Sequence, residues 1–350
     1  TEPIAPHISS GLVLGAEALG KKESYVGYGP EQGIAELRQA LSERIYQKRV
    51  TAKELFISDG AKCDIGRLQI LFGQKMHVAL QDPAYPAYLD TSIICRGNTH
   101  ITYLPCNPEN NFFFDVSLAK EANVLFICSP NNPTGAVLTH QELQKIVDFA
   151  QEHKKIIIFD AAYSFYVPKE SNLPRSIYEV EGAKKVAIEV GSFSKIAGFS
   201  GVRLGWSVVP EELVYATGEK VHDDWMRTIT TFYNGASYIS QQGGLACVSD
   251  QGLQEIAEQV AFYLGNTKAL RKAFVALGYE TYGGEHAPYL WIRLKGKTSW
   301  QAFDELLEQA QLITTPGVGF GPNGEGFLRI SGFGSKSTIE EAIQRLDRSA

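Results

Sequence analysis

The chain has 350 residues, of which 44% are hydrophobic and 21% are charged, and its formal net charge is −6. A chain of this length can bury a large core and favours two lobes over one. Its mildly acidic charge argues against a nucleic-acid partner, and no run of about 18 apolar residues suggests a transmembrane helix. The five cysteines show no C-x-x-C pair and the seven histidines are scattered. These spacings favour free thiols in a reducing compartment and argue against a metal site.

Strand and helix patterns alternate from about residue 30 to about residue 210. Four apolar residues predict the inner face of one helix: Ile34, Leu37, Leu41 and Ile45. Another helix is predicted to begin at the capping box 139–142. Five continuous apolar runs are predicted as strands: 55–58, 77–80, 124–128, 156–159 and 186–190. Continuous runs are typical of parallel strands covered on both faces, so the pattern predicts an open α/β sheet with right-handed crossovers.

The pattern changes after about residue 240. A long helical stretch precedes two strands, at 289–294 and 327–331, and two further helices, at 300–311 and 339–346. We therefore predict a large domain at residues 25–240 and a smaller α+β domain made of residues 1–24 and 241–350. The first residues, TEPIAPHI, resemble the middle of a longer chain, so we expect that an N-terminal segment has been removed.

Polar residues follow each predicted strand, and ligands bind beyond the carboxyl ends of strands in an open α/β sheet. After the first strand, the glycine turn 59–62 leads into a helix whose N-terminus suits a phosphate. After the second, prolines hold Tyr85 and Tyr88, and an aromatic side chain there can stack on a flat ring. After the third, Asn132 in SPNNPTG is suited to donate a hydrogen bond to a phenolate-like oxygen. Taken singly, the glycine turn and the asparagines are readily explained as connecting turns, and aromatic packing is the favoured explanation of the tyrosines.

The last two strand ends carry the residues with the clearest chemistry. Asp160 ends the fourth run, and a buried carboxylate needs a partner such as a protonated pyridine nitrogen, although a helix N-cap is the ordinary alternative. Tyr163 is placed to bond the ring oxygen. Lys195, in the turn after the fifth run, can form a Schiff base with an aldehyde, and Arg203 can grip a phosphate. Although most lysines are solvated, the five strand ends together predict a site for pyridoxal 5'-phosphate (PLP).

Several motifs resemble the fold-type I PLP-dependent aminotransferases and, more narrowly, the LL-diaminopimelate aminotransferase family. SPNNPTG and SFSK with its following arginine are shared among aminotransferases, whereas SDGAKCD and GGEHAPYLW are more specific, and the similarity covers essentially the whole chain. The resemblance implies a mainly parallel sheet flanked by helices, a smaller α+β domain, and a homodimer with shared active sites. The implied reaction is transamination of LL-2,6-diaminopimelate with 2-oxoglutarate, giving tetrahydrodipicolinate and L-glutamate in lysine biosynthesis.

The resemblance also implies residue roles. The catalytic residues would be Lys195, Asp160 and Tyr163. The cofactor would be held by Ala61, Lys62, Tyr85, Asn132, Asp160, Tyr163, Ser192, Ser194, Lys195, Arg203 and, from the partner subunit, Tyr28. The substrate would be held by Lys62, Tyr85, Asn132, Asn234, Arg329 and, from the partner subunit, Glu31. Without the resemblance, Arg329 is explained as a surface ion pair and Glu31 as an acid favoured early in a helix.

Other functions stay open at this point. A paralogous aminotransferase acting on lysine or another amino acid would share the scaffold, as would a PLP-dependent lyase or decarboxylase. A non-catalytic PLP-binding regulatory protein is disfavoured because Lys195 and Asp160 are both present and no basic helix-turn-helix segment is seen. The resemblance implies an N-terminal arm before TEPI, which we expect to have been truncated or to be disordered. The expected compartment is the cytoplasm of a bacterium, or the chloroplast stroma of a plant or alga, and no membrane partner is expected.

Overall fold

A computed structural model describes residues 2–97 and 100–349. The helices within these residues are α1 (Pro6–Leu19), α2 (Ala35–Arg44), α3 (Ala61–Phe72), α4 (Pro86–Arg96), α5 (His140–Glu152), α6 (Val221–Phe232), α7 (Tyr238–Val248), α8 (Asp250–Ala276), α9 (Ser299–Ala310) and α10 (Lys336–Ser349). The strands are β1 (Leu55–Ser58), β2 (Val78–Asp82), β3 (Ile101–Pro105), β4 (Val124–Cys128), β5 (Ile156–Asp160), β6 (Ala187–Ser192), β7 (Gly205–Val208), β8 (Glu280–Gly283), β9 (Tyr289–Arg293), β10 (Thr315–Pro316) and β11 (Phe327–Ser331).

Seven strands form a large sheet in the order β1-β7-β6-β5-β4-β2-β3. Neighbouring strands are parallel except at β7, which runs antiparallel to both β1 and β6. Along β4, Leu125 and Ile127 join one hydrophobic cluster, whereas Val124 and Phe126 join another. Alternate side chains point to opposite faces of a strand, so this sheet has a covered core on both faces, as the continuous apolar runs predict.

All five predicted strands of this sheet are confirmed, with ends that shift by no more than two residues. The expectation of parallel pairing is wrong for β1, which pairs antiparallel with β7 at the edge. The intervening β7 was not predicted, because its four residues follow a Gly/Ser-rich turn and carry little periodic signal. Since β7 reverses direction between them, β1 still points the same way as β6. The carboxyl ends of both strands therefore reach the same edge of the sheet.

A second sheet, β10-β11-β9-β8, is antiparallel throughout. Leu290 and Ile292 of β9 pack with Leu270 of α8 and with Ile339 and Leu346 of α10 in a separate hydrophobic cluster. The predicted strands and helices of this region are confirmed, and so is the α+β arrangement. Every helix among residues 2–97 and 100–349 is too short or too polar to span a bilayer.

Helix α5 agrees with its sequence signal, whereas helix α1 was not predicted. Helix α5 begins at the predicted capping box, where Thr139 Oγ1 accepts from the backbone N–H of Glu142 and the Glu142 carboxylate accepts from the N–H of Thr139. Helix α1 packs along α7 and is tied to α8, since the backbone N–H groups of His7 and Ile8 donate to the Glu255 carboxylate. The N-terminal residues therefore lie against the two helices that precede the second sheet.

Candidate active site

One cavity of about 440 Å³ lies at the carboxyl edge of the large sheet. Residues from both sheets and the connecting loops line it. The lining includes these predicted site residues: Ala61, Lys62, Tyr85, Asn132, Asp160, Tyr163, Ser192, Ser194, Lys195, Arg203 and Arg329. All but Arg329 lie at or after the carboxyl ends of the strands β1, β2, β4, β5 and β6, whereas Arg329 lies on β11 of the second sheet. The topology of the large sheet therefore brings most of the predicted site together.

One end of the cavity, where helix α3 begins, is suited to bind an anion. Helix α3 begins at Ala61 without a side-chain cap, which leaves N–H groups of its first turn free to donate to a ligand. Gly60 precedes it with φ +126°, and a Cβ at Gly60 would lie 2.5 Å from Arg203 Nη2. Arg203 itself has φ +66° and donates through Nη1 to Ser194 Oγ at 3.3 Å. A helix N-terminus, an arginine and a hydroxyl thus converge where only glycine fits.

Asp160 lies at the end of β5 and is only 6% exposed. Its Oδ2 accepts from Tyr88 Oη at 2.7 Å, and its Oδ1 accepts from the backbone N–H of Ala162 at 2.9 Å. Burial raises the pKa of this carboxyl group, and the two hydrogen bonds partly oppose that rise. Among the described residues it has no ion-pair partner. A cationic N–H group of a ligand would relieve the cost of burying this charge.

Lys195 follows β6, and its backbone carbonyl accepts from Tyr166 Oη at 3.0 Å. Burial lowers the pKa of its ammonium group, and the positive charges of Arg329, Lys62 and Arg203 lower it further. A lower pKa increases the fraction of neutral amine at a given pH. The neutral amine is the form that attacks an aldehyde and accepts a proton, so the site prepares Lys195 for both tasks.

Arg329 faces the cavity from β11, between two aromatic rings. Its guanidinium carbon lies 4.5 Å from the ring centroid of Tyr289 and 4.8 Å from that of Phe320. Its Nη1 donates to Asn132 Oδ1 at 2.8 Å, and its Nη2 makes only a long contact of 3.4 Å with Thr315 Oγ1. The ordinary explanation of this residue as a surface ion pair is therefore wrong. Because the guanidinium group lines the cavity, it is suited to a carboxylate from outside the protein.

The charges of the cavity are unbalanced. Four cationic side chains line it, whereas Asp160 is its one carboxylate among the described residues. The cations are Lys62, Lys195, Arg203 and Arg329. Tyr85 adds a half-buried ring, with Lys62 Nζ 5.5 Å from its centroid. An excess of positive charge beside a flat aromatic surface fits an anionic ring compound such as PLP together with an anionic substrate.

Three of the predicted residues lie outside this cavity. Tyr28 is 89% exposed, and Glu31 and Asn234 are also exposed. The loops that carry them touch each other, because a Cβ on Gly235 would lie 3.1 Å from the carbonyl oxygen of Pro30. The structure therefore gathers Tyr28, Glu31 and Asn234 into one surface of the chain, which we call the outer surface, and does not bring them to the chain's own cavity.

Some residues of the cavity were not assigned from the sequence. Tyr88 bonds Asp160, although its sequence signal suggested only stacking. Tyr289 Oη lies 2.7 Å from Tyr163 Oη. The remaining lining residues are Ile65, Cys128, Ala162 and Ser200. The motifs DPAYPAY and GGEHAPYLW contain both tyrosines, but no local pattern shows that either hydroxyl would meet a residue more than 70 positions away. No group of three or more His, Cys, Asp or Glu side chains in the described ranges is arranged to hold a metal ion.

A large sheet whose carboxyl edge gathers a desolvated lysine, a buried aspartate and an uncapped helix N-terminus defines a fold-type I, PLP-dependent transferase. The chain belongs to the family Aminotransferase class I and II, whose sequence profile matches residues 11–346.

Similar proteins narrow this class. The chain is 50% identical to "LL-diaminopimelate aminotransferase" of Protochlamydia amoebophila (strain UWE25) over 99% of this chain and 86% of that protein. It is 46% identical to "LL-diaminopimelate aminotransferase, chloroplastic" of Arabidopsis thaliana over 99% of this chain and 77% of that protein. The solved structure of L,L-diaminopimelate aminotransferase from Chlamydomonas reinhardtii superposes with a TM-score of 0.95 at 48% identity, covering 99% of this chain and 87% of that one.

Proposed function

We propose that this aminotransferase moves an amino group from LL-2,6-diaminopimelate to 2-oxoglutarate, giving tetrahydrodipicolinate and L-glutamate in lysine biosynthesis. One observation carries the choice of substrate. After Arg203 is assigned to a phosphate, Lys62 and Arg329 still line the cavity without an ion-pair partner among the described residues. Both proposed substrates are dicarboxylates, so each offers one carboxylate to each cation. The names of relatives at 46–50% identity support the same substrate.

The cofactor contacts follow from the donor set of the cavity. Arg203, Ser192, Ser194 and the N–H groups of α3 at Ala61 and Lys62 would bind the phosphate. Bound PLP supplies an aldehyde for the amino group and a ring that withdraws electrons from the substrate's α-carbon.

Other side chains would orient the ring. Asp160 would hold the proton on the ring nitrogen, because its buried charge lacks a cationic partner. Asn132 and Tyr163 would donate to the ring oxygen, and Tyr85 would stack on the ring.

Lys195 would serve as attachment point and as proton carrier. Burial and the neighbouring cations lower its pKa and so favour the neutral Nζ, which can take the proton that leaves the substrate's α-carbon. Arg329 would bind the α-carboxylate and so orient that carbon. Tyr289 and Phe320, which sandwich its guanidinium group, would keep this orientation constant between the donor and the acceptor.

The distal end of the donor needs an acid for its ammonium group, and the outer surface offers Glu31. We propose a homodimer in which Tyr28 of one subunit reaches the phosphate in the other, while Glu31 and Asn234 reach the substrate there. The support is that these residues are exposed together, outside their own cavity. The proposed domains are residues 25–240 and residues 1–24 with 241–350, and the proposed compartment is the bacterial cytoplasm or the stroma of a plant or alga.

The test is a single half-reaction. LL-diaminopimelate is added to the PLP-loaded enzyme without a keto acid, and the visible absorbance of the aldehyde cofactor is followed. We expect it to disappear with LL-diaminopimelate and to return on addition of 2-oxoglutarate, with slower changes for meso-diaminopimelate and L-lysine. Loss of absorbance with L-lysine but not with LL-diaminopimelate would assign the enzyme to a different amino donor.

A further inference from the structure

Asp82, at the end of β2, is a buried acid that the reaction described above does not use. It is 0% exposed, and its carboxylate accepts hydrogen bonds from Asn323 alone among the described residues. The backbone N–H of Asn323 lies 3.2 Å from both carboxylate oxygens, and Asn323 Nδ2 lies 2.6 Å from Oδ2. A buried carboxylate whose partner lies 241 positions away joins the large sheet to a loop of the second sheet.

That loop, residues 317–324, connects β10 to β11 and is closed on itself. A Cβ on Gly317 would lie 2.1 Å from the carbonyl oxygen of Gly324, and a Cβ on Gly324 would lie 1.9 Å from that of Gly317. Gly321 has φ +128°, and its Cβ would lie 2.1 Å from Asp82 Oδ1. The loop therefore rests directly against the carboxylate, and only glycine permits this approach.

The same loop carries one of the two rings that sandwich Arg329. The carbonyl oxygen of Phe320 accepts from the backbone N–H of Ala84 at 2.9 Å, two residues after Asp82. The Phe320 ring lies 4.8 Å from the Arg329 guanidinium carbon and packs edge-on against Trp291 at 5.9 Å. The hydrogen bond to Ala84 thus sets the position of the Phe320 ring relative to the large sheet. The contact with this ring in turn sets the position of the Arg329 guanidinium group.

We propose that Asp82 is a positioning residue for Arg329: with Asn323 it locks the loop 317–324 against the large sheet and so holds the guanidinium group in register with the cofactor cavity. The inference rests on the proposed role of Arg329 in binding the substrate carboxylate. It accounts for a buried acid at the junction of the two sheets, where an apolar residue would pack without the cost of desolvation. It concerns binding of the carboxylate, which both substrates share, and leaves the cofactor contacts unchanged.

The experiment compares the PLP-loaded enzyme with its Asp82→Asn variant. We expect the KM for 2-oxoglutarate and for the amino donor, and the dissociation constant for the non-reacting dicarboxylate glutarate, each to rise by about 10-fold, as for loss of a hydrogen bond to a charged group. The kcat should stay within about 3-fold, because Lys195 is untouched. The absorbance spectrum and PLP affinity should not change. Glutarate binding is read from the cofactor absorbance without turnover, so it tests the lock even if LL-diaminopimelate is not the donor.

Two further variants keep the test decisive. Asn323→Ala removes the side-chain bond at 2.6 Å but retains the acid, and should raise the glutarate dissociation constant by about 3-fold even if Asp82→Asn folds poorly. The exchange Asp82→Asn with Asn323→Asp restores an amide–carboxylate pair and should recover most of the affinity.

The matched control is Glu189→Gln, which alters another buried, hydrogen-bonded acid on β6, three strands away from β2 in the large sheet. Unchanged glutarate binding in Asp82→Asn and Asn323→Ala, or an equal loss in Glu189→Gln, would overturn the proposal. So would a loss of PLP affinity that accounts for the whole effect.

Discussion

The cavity and the outer surface are built in opposite ways from the same chain. The cavity draws most of its lining from residues at or after the ends of strands of one sheet, and within it Asp160 is buried and Lys195 is half-buried. The outer surface consists of two loops that touch each other, and its side chains are exposed. Most groups proposed to bind the cofactor thus lie together in one cavity of the chain. Three residues proposed from the resemblance, Tyr28, Glu31 and Asn234, lie outside that cavity.

This difference between the cavity and the outer surface reflects two different requirements, one for the reacting groups and one for recognition of the substrate. A half-buried lysine and a buried aspartate need a rigid environment with little water to shift their pKa values, and the carboxyl edge of the mainly parallel sheet provides it. Recognition of a distal ammonium group needs only a correctly placed acid, which a second subunit can supply. If the proposed homodimer is right, substituting a cavity residue damages its own site, whereas substituting an outer residue damages the neighbouring site.

The largest expected effect tests the cavity. Lys195→Ala should reduce turnover by about 10³-fold or more, because it removes both the nucleophile and the proton carrier. Borohydride reduction followed by mass spectrometry should find PLP attached to the unsubstituted protein but not to the variant. Lys268→Ala, at an exposed lysine of α8, is the control. Turnover within about 10-fold of the unsubstituted enzyme would remove Lys195 from the reaction.

A smaller effect tests the outer surface. Glu31→Ala should lower kcat/KM for LL-diaminopimelate by about 30-fold, with little change for L-glutamate, because only the longer donor has a distal ammonium group. Glu36→Ala, in the first turn of α2, is the control.

Mixing Glu31→Ala subunits with Lys195→Ala subunits gives the sharper result. Hybrid dimers would contain one intact site, so a statistical mixture should recover about a quarter of full activity. If the mixture stays as inactive as its two components, Glu31 acts within its own chain or not at all, and the comparison above fails.

The smallest effect concerns a residue that the sequence did not assign. Tyr88→Phe removes the hydrogen bond to Asp160 and should weaken PLP binding by about 5-fold. The Tyr88 hydroxyl favours the ionised acid, so its loss raises the pKa of Asp160 further above its usual range. Because the ionised form pairs with the ring nitrogen, PLP affinity falls as pH falls through this pKa, and that fall should move to higher pH in the variant.

PLP titrations at a series of pH values measure this shift. Tyr103→Phe, at the partly exposed edge strand β3, is the control and should match the unsubstituted enzyme at every pH. A Tyr88→Phe profile that also superimposes on that of the unsubstituted enzyme would show that Tyr88 does not support the charge of Asp160.

Much of the fold could be predicted because its signals are local. The run Val124–Cys128 is apolar throughout, and the Thr139 capping box specifies where α5 begins. The strand β7 escaped prediction because its position between β1 and β6 depends on close backbone approach. A Cβ on Gly205 would lie 2.8 Å from both Ala61 N and the Gly191 carbonyl oxygen. The only trace of this close approach in the sequence is a glycine. Because glycine also occurs for many other reasons, it does not by itself predict a strand.

By itself, the sequence determined five strands of the large sheet, several helices and the polar groups at the ends of those strands, including Lys195, Asp160 and Arg203. These depend on periodicity and on residue types within a few positions. Only the tertiary structure decided that Tyr88 bonds Asp160, that Asp82 bonds Asn323 in the loop beside Arg329, and that Tyr28 lies outside its own cavity. Each of these depends on contacts between distant segments and on the exclusion of water. Both arise only when the sheets and loops come together, so no local pattern encodes them.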